Sequence, residues 1–249
     1  MLDKLPVSVV IVTKNEEINI EDALKSAQMA QEIVVVDAYS TDRTLEICRA
    51  YTDKVYQNHW QGFAQQKQQA IDYAESPWVF ILDSDERLTP SLVEEIASTI
   101  KDTPYQGFYV PRRNFFLGKW VKHSGWWPDY TLRLFKKDKG HMDQRQVHEK
   151  VIVEGTTSKL ANPIEHYSYR SISDFIKRMD KYTTLSVQEI NKSAIKTNVF
   201  HLTIKPLAMF LKMYVLRLGF LDGMNGFILA ILYAFYTFLK YLKAWETLR

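Results

Sequence analysis

A single cysteine, Cys48, stands in 249 residues. It has no partner within the chain, which excludes a disulfide scaffold and points to a reducing compartment. Nine glycines and eight prolines are too few for a collagen-like or low-complexity chain, and 46% hydrophobic with 24% charged residues excludes a disordered one. The first residues, MLDKLPVSVV, lack the basic start, long apolar stretch and small-residue cleavage site of an export signal. The expectation is a cytoplasmic protein, long enough to bury a full core without staples. Net charge is also scarce, at +3, and unevenly spread. Residues 199–249 hold six bases and two acids, whereas the first 198 hold 26 bases and 27 acids. A nearly neutral body with a basic, apolar end is unlike a nucleic-acid binder, so no nucleic-acid partner is expected. It suits an anionic membrane surface.

What is present is an alternation of strand and helix signals. Val7–Val12 and Ile33–Val36 are β-branched runs of strand length, and Trp78–Leu82 is a third buried run. Val55-Tyr56 reads as a shorter strand. Between them lie helical stretches: Ile18–Ala27 with Ile18, Ala23, Leu24 and Ala27 on one face, Thr44–Tyr51 behind capping residues Ser40-Thr41-Asp42, and Phe63–Ala74. Thr89-Pro90-Ser91 opens another helix, through Ile100. Strands separated by helices of about ten residues predict βαβ units, hence an α/β fold with a mostly parallel sheet. Beyond Gly107 the sequence turns aromatic and basic, suiting short mixed strands and loops. Ser171–Asn191 predicts an amphipathic helix with Ile172, Phe175, Ile176, Met179, Tyr182 and Leu185 on its apolar side. Pro206 is expected to start a helix ending near Leu218, and Phe227 another ending near Trp245.

Ligands of such sheets bind beyond the carboxyl ends of the strands. There the sequence puts Thr13–Glu16, Asp37 and Asp83-Ser84-Asp85. The segment TKNEEINI after the first strand has no glycine, which argues against a dinucleotide-binding protein and against a sugar nucleotidyltransferase. Asp83 and Asp85, two residues apart at a strand exit, can reach one divalent ion and its nucleotide. Such hard oxygen ligands suit Mg²⁺ or Mn²⁺. The bland alternative is a solvated turn leading a helix.

VSVVIVTKNE, VVVDAYSTDRT and VFILDSDE, in that order, resemble the family 2 glycosyltransferases of the GT-A fold. The likeness covers about residues 5–170, and LRLGFLDGMNGF is similar to the tail of the lipopolysaccharide inner-core β-glucosyltransferases that act on heptose. The resemblance implies that Thr13, Asn15 and Glu16 line a nucleoside pocket and that Asp37 meets the uracil. It implies that Asp83 holds ribose or a metal-bound water, with Ser84 beside it in the donor site, and that Asp85 binds the metal. Lys67 falls where the family places a basic group near the diphosphate; an exposed helical lysine is the alternative. The family's general base maps onto Asp129, 44 residues after Asp85 in GWWPDYTLRL, with Pro128 where a Glu is usual. His148 is the expected third metal ligand and Glu149 the reserve base, with His166 an alternative ligand. Arg112, Arg113 and Arg133 are candidate phosphate contacts or solvated charges. Trp120, Trp126 and Trp127 can stack on sugars or fill the core.

The stretch between Asp222 and Lys240 holds 17 uncharged residues. With Gly223, Asn225 and Gly226 in its first turn, the apolar run Phe227–Leu239 is expected to lie in the lipid interface rather than to cross it. Packing within the protein or in a homodimer is the alternative. The whole reading is a catalytic domain at 1–195 with apolar helices at 196–249, on the inner face of the cytoplasmic membrane. It moves a hexose, UDP-glucose first among donors, with inversion to a lipid-linked saccharide, lipopolysaccharide heptose first among acceptors. Other cell-envelope or polyprenyl-phosphate sugar transfer, or a non-catalytic sugar-nucleotide binder tethered to the membrane, are the rivals.

Overall fold

Five of the six residues Val7–Val12 are β-branched, which suits a strand buried on both faces. This is β1 (Leu5–Thr13), parallel to β2 (Ala30–Asp37) on one side and to β4 (Trp78–Ile81) on the other; β2 is parallel to β3 (Val55–Gln57). The computed structural model describes residues 4–143, 150–192 and 197–247. They form two compact units, residues 1–112 with 129–166 and residues 113–128 with 167–249.

In the first unit, alternation along the strands feeds two apolar layers. Val7, Val9, Ile11, Ile33, Val35, Trp78 and Phe80 meet Ile20, Ala23 and Leu24 of α1 (Ile20–Ser26), Cys48 of α2 (Thr44–Arg49), and Leu92 and Ile96 of α4 (Pro90–Thr99). Val10, Val34, Val36, Val79 and Ile81 meet Ala70 and Ile71 of α3 (Phe63–Tyr73). Burial pushes the Cys48 thiol up to about 12, so it is a packing group. Ile18, expected on the buried face of α1, is 69% exposed because the helix begins two residues later. Thr89 caps α4 by accepting from the Leu92 N–H at 3.2 Å.

The parallel order holds for β3-β2-β1-β4. Beyond β4 the neighbours are antiparallel: β8 (Asp129–Lys136) on β4, then the start of β6 (Gly107–Phe116) on β8. β5 (Glu86–Leu88) pairs antiparallel with Ile164–His166 of β9 (Ile164–Tyr169). These returns bring residues far apart in sequence beside Asp83–Glu86.

The second unit begins with a hairpin from the end of β6 to β7 (Lys119–Trp120), turned by Leu117 and Gly118, both at positive φ. Its helices are α5 (Ile172–Lys192), α6 (Val199–Leu211) and α7 (Gly223–Glu246), with a π-helical turn at Lys212–Leu216 and a 3-10 turn at Gly219–Asp222 between the last two. Phe116, Val121, Phe175, Met179, Met213, Leu229 and Ala230 form the core. The buried line on α5 is Phe175, Met179, Thr183 and Val187, each four residues from the last. Ile176, Tyr182 and Leu185, expected inside, flank that line and are 45–48% exposed.

Two tail expectations need correction. Pro206 lies inside α6 rather than at its start, because a capping box between Asn198 and His201 begins the helix seven residues earlier. Proline there removes one helical donor without ending the helix. And α7 begins at Gly223 instead of Phe227: Asn225 spends its side chain on the Phe116 carbonyl at 2.8 Å, and Gly226 sits where backbone packs closest. At 24 residues the helix spans about 36 Å. Val199–Leu216 and Gly219–Glu246 are both long and apolar enough to cross a membrane.

Candidate active site

Thr13, Asp37 and Gln57 are register partners across β1, β2 and β3, and the Leu82 N–H donates to the Val10 carbonyl. The strand ends named by the motifs are therefore level. Thr13 is 2% exposed, and its Oγ1 has no hydrogen-bond partner among the described residues. Such a buried, unsatisfied hydroxyl is the atom a ligand would satisfy. Asp37 is fully buried and accepts from the Ser40 hydroxyl, the Ser40 N–H at 2.9 Å and Gln57 Nε2 at 3.3 Å.

The loop after β1 and the loop after β2 are laced together. The Asn15 N–H donates to Ser40 Oγ at 2.8 Å, and Asn15 Oδ1 accepts from the Thr41 N–H at 2.8 Å. The Glu16 N–H donates to Thr44 Oγ1 at 2.8 Å, and its carboxylate accepts from Asn19 Nδ2 at 2.7 Å. Asn15 takes a positive φ of 54°, which asparagine tolerates better than most residues. Ser84 Oγ donates to the Val12 carbonyl at 3.1 Å, tying the β4 exit to β1. So Asn15, Glu16 and Ser84 visibly set the shape of the strand ends.

The charged groups beyond β4 form a ladder of alternating sign. Lys67 Nζ lies 3.0 Å from Asp83 Oδ1, and its side chain is only 12% exposed, so the exposed-lysine alternative is overturned. Arg133 Nη2 donates to Asp83 Oδ2 and to Glu86 Oε1, each at 2.5 Å. Arg112 lies 4.0 Å from Glu86 and 2.6 Å from Asp129 Oδ2. Arg133 is buried, not solvated. Burial raises the Asp83 carboxyl, but the charges of Arg133 and Lys67 outweigh it and hold Asp83 well below the usual carboxylate range. Glu86, fully buried, is pushed up by burial, with Arg133 only partly opposing.

Asp85 stands beside His166, Nε2 to Oδ2 3.6 Å. Burial draws the imidazole pKa down and the Asp85 carboxylate more than reverses it. Among the described residues no group of three metal-type side chains is assembled. A carboxylate and an imidazole together still fit Mg²⁺ or Mn²⁺, which takes one or two protein ligands and fills its shell with water and phosphate oxygens. His148 and Glu149 lie outside the described residues. Sequence reasoning gave Glu86 no role, ranked His166 low and did not pair Arg112 with Asp129. The only advance signal was that Glu86 directly follows Asp85.

Residues 8–156 match the family model described as glycosyl transferase family 2. Across 254 aligned residues the chain is 30% identical to the lipopolysaccharide core biosynthesis glycosyltransferase LpsC of Rhizobium meliloti, covering 99% of this chain and 94% of that protein. An uncharacterized glycosyltransferase of Rickettsia typhi is 28% identical, over 96% of this chain and 87% of its own. Among solved structures, S. aureus TarS aligns over 98% of this chain and 91% of its own, at 18% identity and a TM-score of 0.49.

Proposed function

From the premise that this chain belongs to glycosyl transferase family 2, we propose that it transfers glucose from UDP-glucose, with inversion, to a heptose of the lipopolysaccharide inner core. The observation that carries the reading is the ladder Lys67–Asp83–Arg133–Glu86–Arg112–Asp129 at the exits of a parallel sheet, in a chain alignable end to end with a lipopolysaccharide core glycosyltransferase. Thr13 and Asp37 hold the nucleoside, with Asn15, Glu16 and Ser84 shaping the loops around it. Lys67 lies beside Asp83 and adds positive charge on the diphosphate side. Asp85 and His166 would hold the divalent ion, which when bound would supply charge neutralisation for the departing diphosphate. Asp129, oriented by Arg112, accepts the proton of the acceptor hydroxyl as its oxygen bonds to the anomeric carbon. The bond from that carbon to the β-phosphate oxygen breaks in the same step, UDP leaves with the electron pair, and the linkage formed is β.

The acceptor is lipid-anchored, and the tail suits it. Phe200, Ile204, Leu207 and Leu211 on α6, and Phe227, Ile231 and Phe235 on α7, are exposed at helical spacing. The bend between the helices is hydrogen-bonded to residues 122–124, a loop that runs on through Pro128 into Asp129. A hairpin carried through the bilayer would take that loop with it. This favours helices lying in the inner leaflet's surface. Incubating the protein and core lipid with UDP-glucose and Mg²⁺ tests the reading: a mass gain of one hexose is expected, with equimolar UDP release. No gain with UDP-glucose, but a gain with another donor, would overturn the sugar and keep the reaction.

A further inference from the structure

Residues 113–128, RNFFLGKWVKHSGWWP, carry three bases, no acid and three of the chain's six tryptophans. Within this loop the Trp120 ring lies 4.7 Å from the Arg113 guanidinium and 4.7 Å from Lys122 Nζ, and meets Trp127 edge to face at 5.5 Å. Trp126 is instead core, edge-on to Phe116. Trp120 and Trp127 are half-buried, and Lys122 is exposed. With Arg113 and Lys122 both lying over the Trp120 ring, the patch gathers two positive charges and is chemically suited to the phosphate group of a saccharide.

The same loop is clamped by the bend Arg217–Gly226. Asp222, its side chain 8% exposed, accepts from the Lys122 N–H at 3.1 Å and the His123 N–H at 2.8 Å, and its Oδ1 lies 3.1 Å from His123 Nδ1. The Ser124 N–H donates to the Arg217 carbonyl at 2.9 Å. Gly125 and Gly219 lie at the contact between loop and bend, and Gly226 packs on Gly219 within the bend. A Cβ on Gly125 would lie 2.0 Å from Arg217 Nη1, one on Gly219 2.5 Å from Ser124 Oγ, and one on Gly226 1.9 Å from the Gly219 carbonyl oxygen. The segment LRLGFLDGMNGF thus holds the loop through the Asp222 carboxylate, the Arg217 carbonyl and the close approach at Gly219.

We propose that the loop 113–128 is a binding platform for a phosphorylated saccharide, with Trp120, Arg113 and Lys122 as its contacts and Asp222 as the residue that positions it. The platform rests on the transferase reading only in taking that saccharide to be the acceptor; binding itself does not depend on turnover.

The test titrates the full-length protein with a phosphorylated core oligosaccharide, and with the same oligosaccharide after phosphatase treatment, followed by tryptophan fluorescence; UDP affinity is measured in parallel. The wild type should bind the phosphorylated form about tenfold tighter or more, the worth of one or two charge-assisted hydrogen bonds. Asp222→Ala and Trp120→Ala should lose that binding at least tenfold with UDP affinity unchanged, and Asp222→Asn, which keeps one acceptor oxygen, should lose less than Asp222→Ala. Lys122→Gln removes one of the two charges over Trp120 and leaves the backbone clamp, so it reads the contact even if the Asp222 variants misfold; it should lower the preference for phosphate several-fold. In turnover, the Asp222 variants should raise acceptor KM and spare kcat. Equal binding of both oligosaccharides, or full preference retained in Lys122→Gln, would overturn the platform. Oligosaccharide binding without any hexose transfer would overturn the transferase reading instead.

Discussion

Arg133 donates from one guanidinium nitrogen to both Asp83 and Glu86 and is 3% exposed. Removing it leaves two carboxylates close together and one of them fully buried. Arg133→Met should therefore destabilise the protein by about 3–5 kcal/mol in urea denaturation, the usual cost of stranding a buried charge. A loss under about 1 kcal/mol would mean that Lys67 and Arg112 compensate. Asp129→Asn keeps an oxygen for Arg112 but cannot take a proton. It should leave UDP affinity intact and lower kcat by about 10²–10⁴-fold, the range for loss of a general base; equal losses in donor affinity and kcat would move the base elsewhere, with Glu149 next. Sequence reasoning reached Asp83, Asp85 and Asp129 because each sits at a strand end or in a short pattern. It could not see that Lys67, Arg112, Arg133 and His166 converge on them, since those pairings join residues 16 to 81 positions apart and leave no local spacing to read.

At the scale of elements, β1, β2 and β4 were legible because strands buried on both faces are continuous apolar runs, and α4 because Thr89-Pro90 is a helix start. The antiparallel returns β6, β8 and β9 were not, since charged and aromatic residues there serve the site as much as the sheet. The sheet is also pinned near the amino-terminal end of β2 by Glu32. Burial raises its carboxyl, but hydrogen bonds from Lys54, Ser8 and the N–H groups of Glu75 and Ser76 bring it down to about 2. Its contribution is complete above the usual value of 4.5 and is lost as the pH falls from there towards 2. Stability should drop by about 1–2 kcal/mol across that window, allowing for solvent screening. Glu32→Gln should flatten that part of the pH profile; an unchanged profile would assign the acid sensitivity to other carboxylates.

For the whole molecule, the uneven charge and the apolar end were plain in composition, whereas helix lengths were not. Helix-breaking signals at Pro206 and Gly223–Gly226 marked a helix interior and a close-packed bend, where tertiary contacts outweigh local propensity. Truncation after Ser193 should release the protein from anionic vesicles in a flotation assay. High salt should release the full-length protein only in part, because apolar burial is not screened. Full release by salt, or flotation of the truncated form, would contradict insertion of α6 and α7.

Metal-dependent transfer rests most directly on Asp85 holding a metal against the donor's diphosphate. Calorimetric titration of UDP into wild type and Asp85→Ala, each with Mg²⁺ and with EDTA, measures this. UDP binding by the wild type should weaken sharply in EDTA, and the weak binding by Asp85→Ala should not change with EDTA. Mg²⁺-dependent binding by Asp85→Ala as tight as that of the wild type would contradict it.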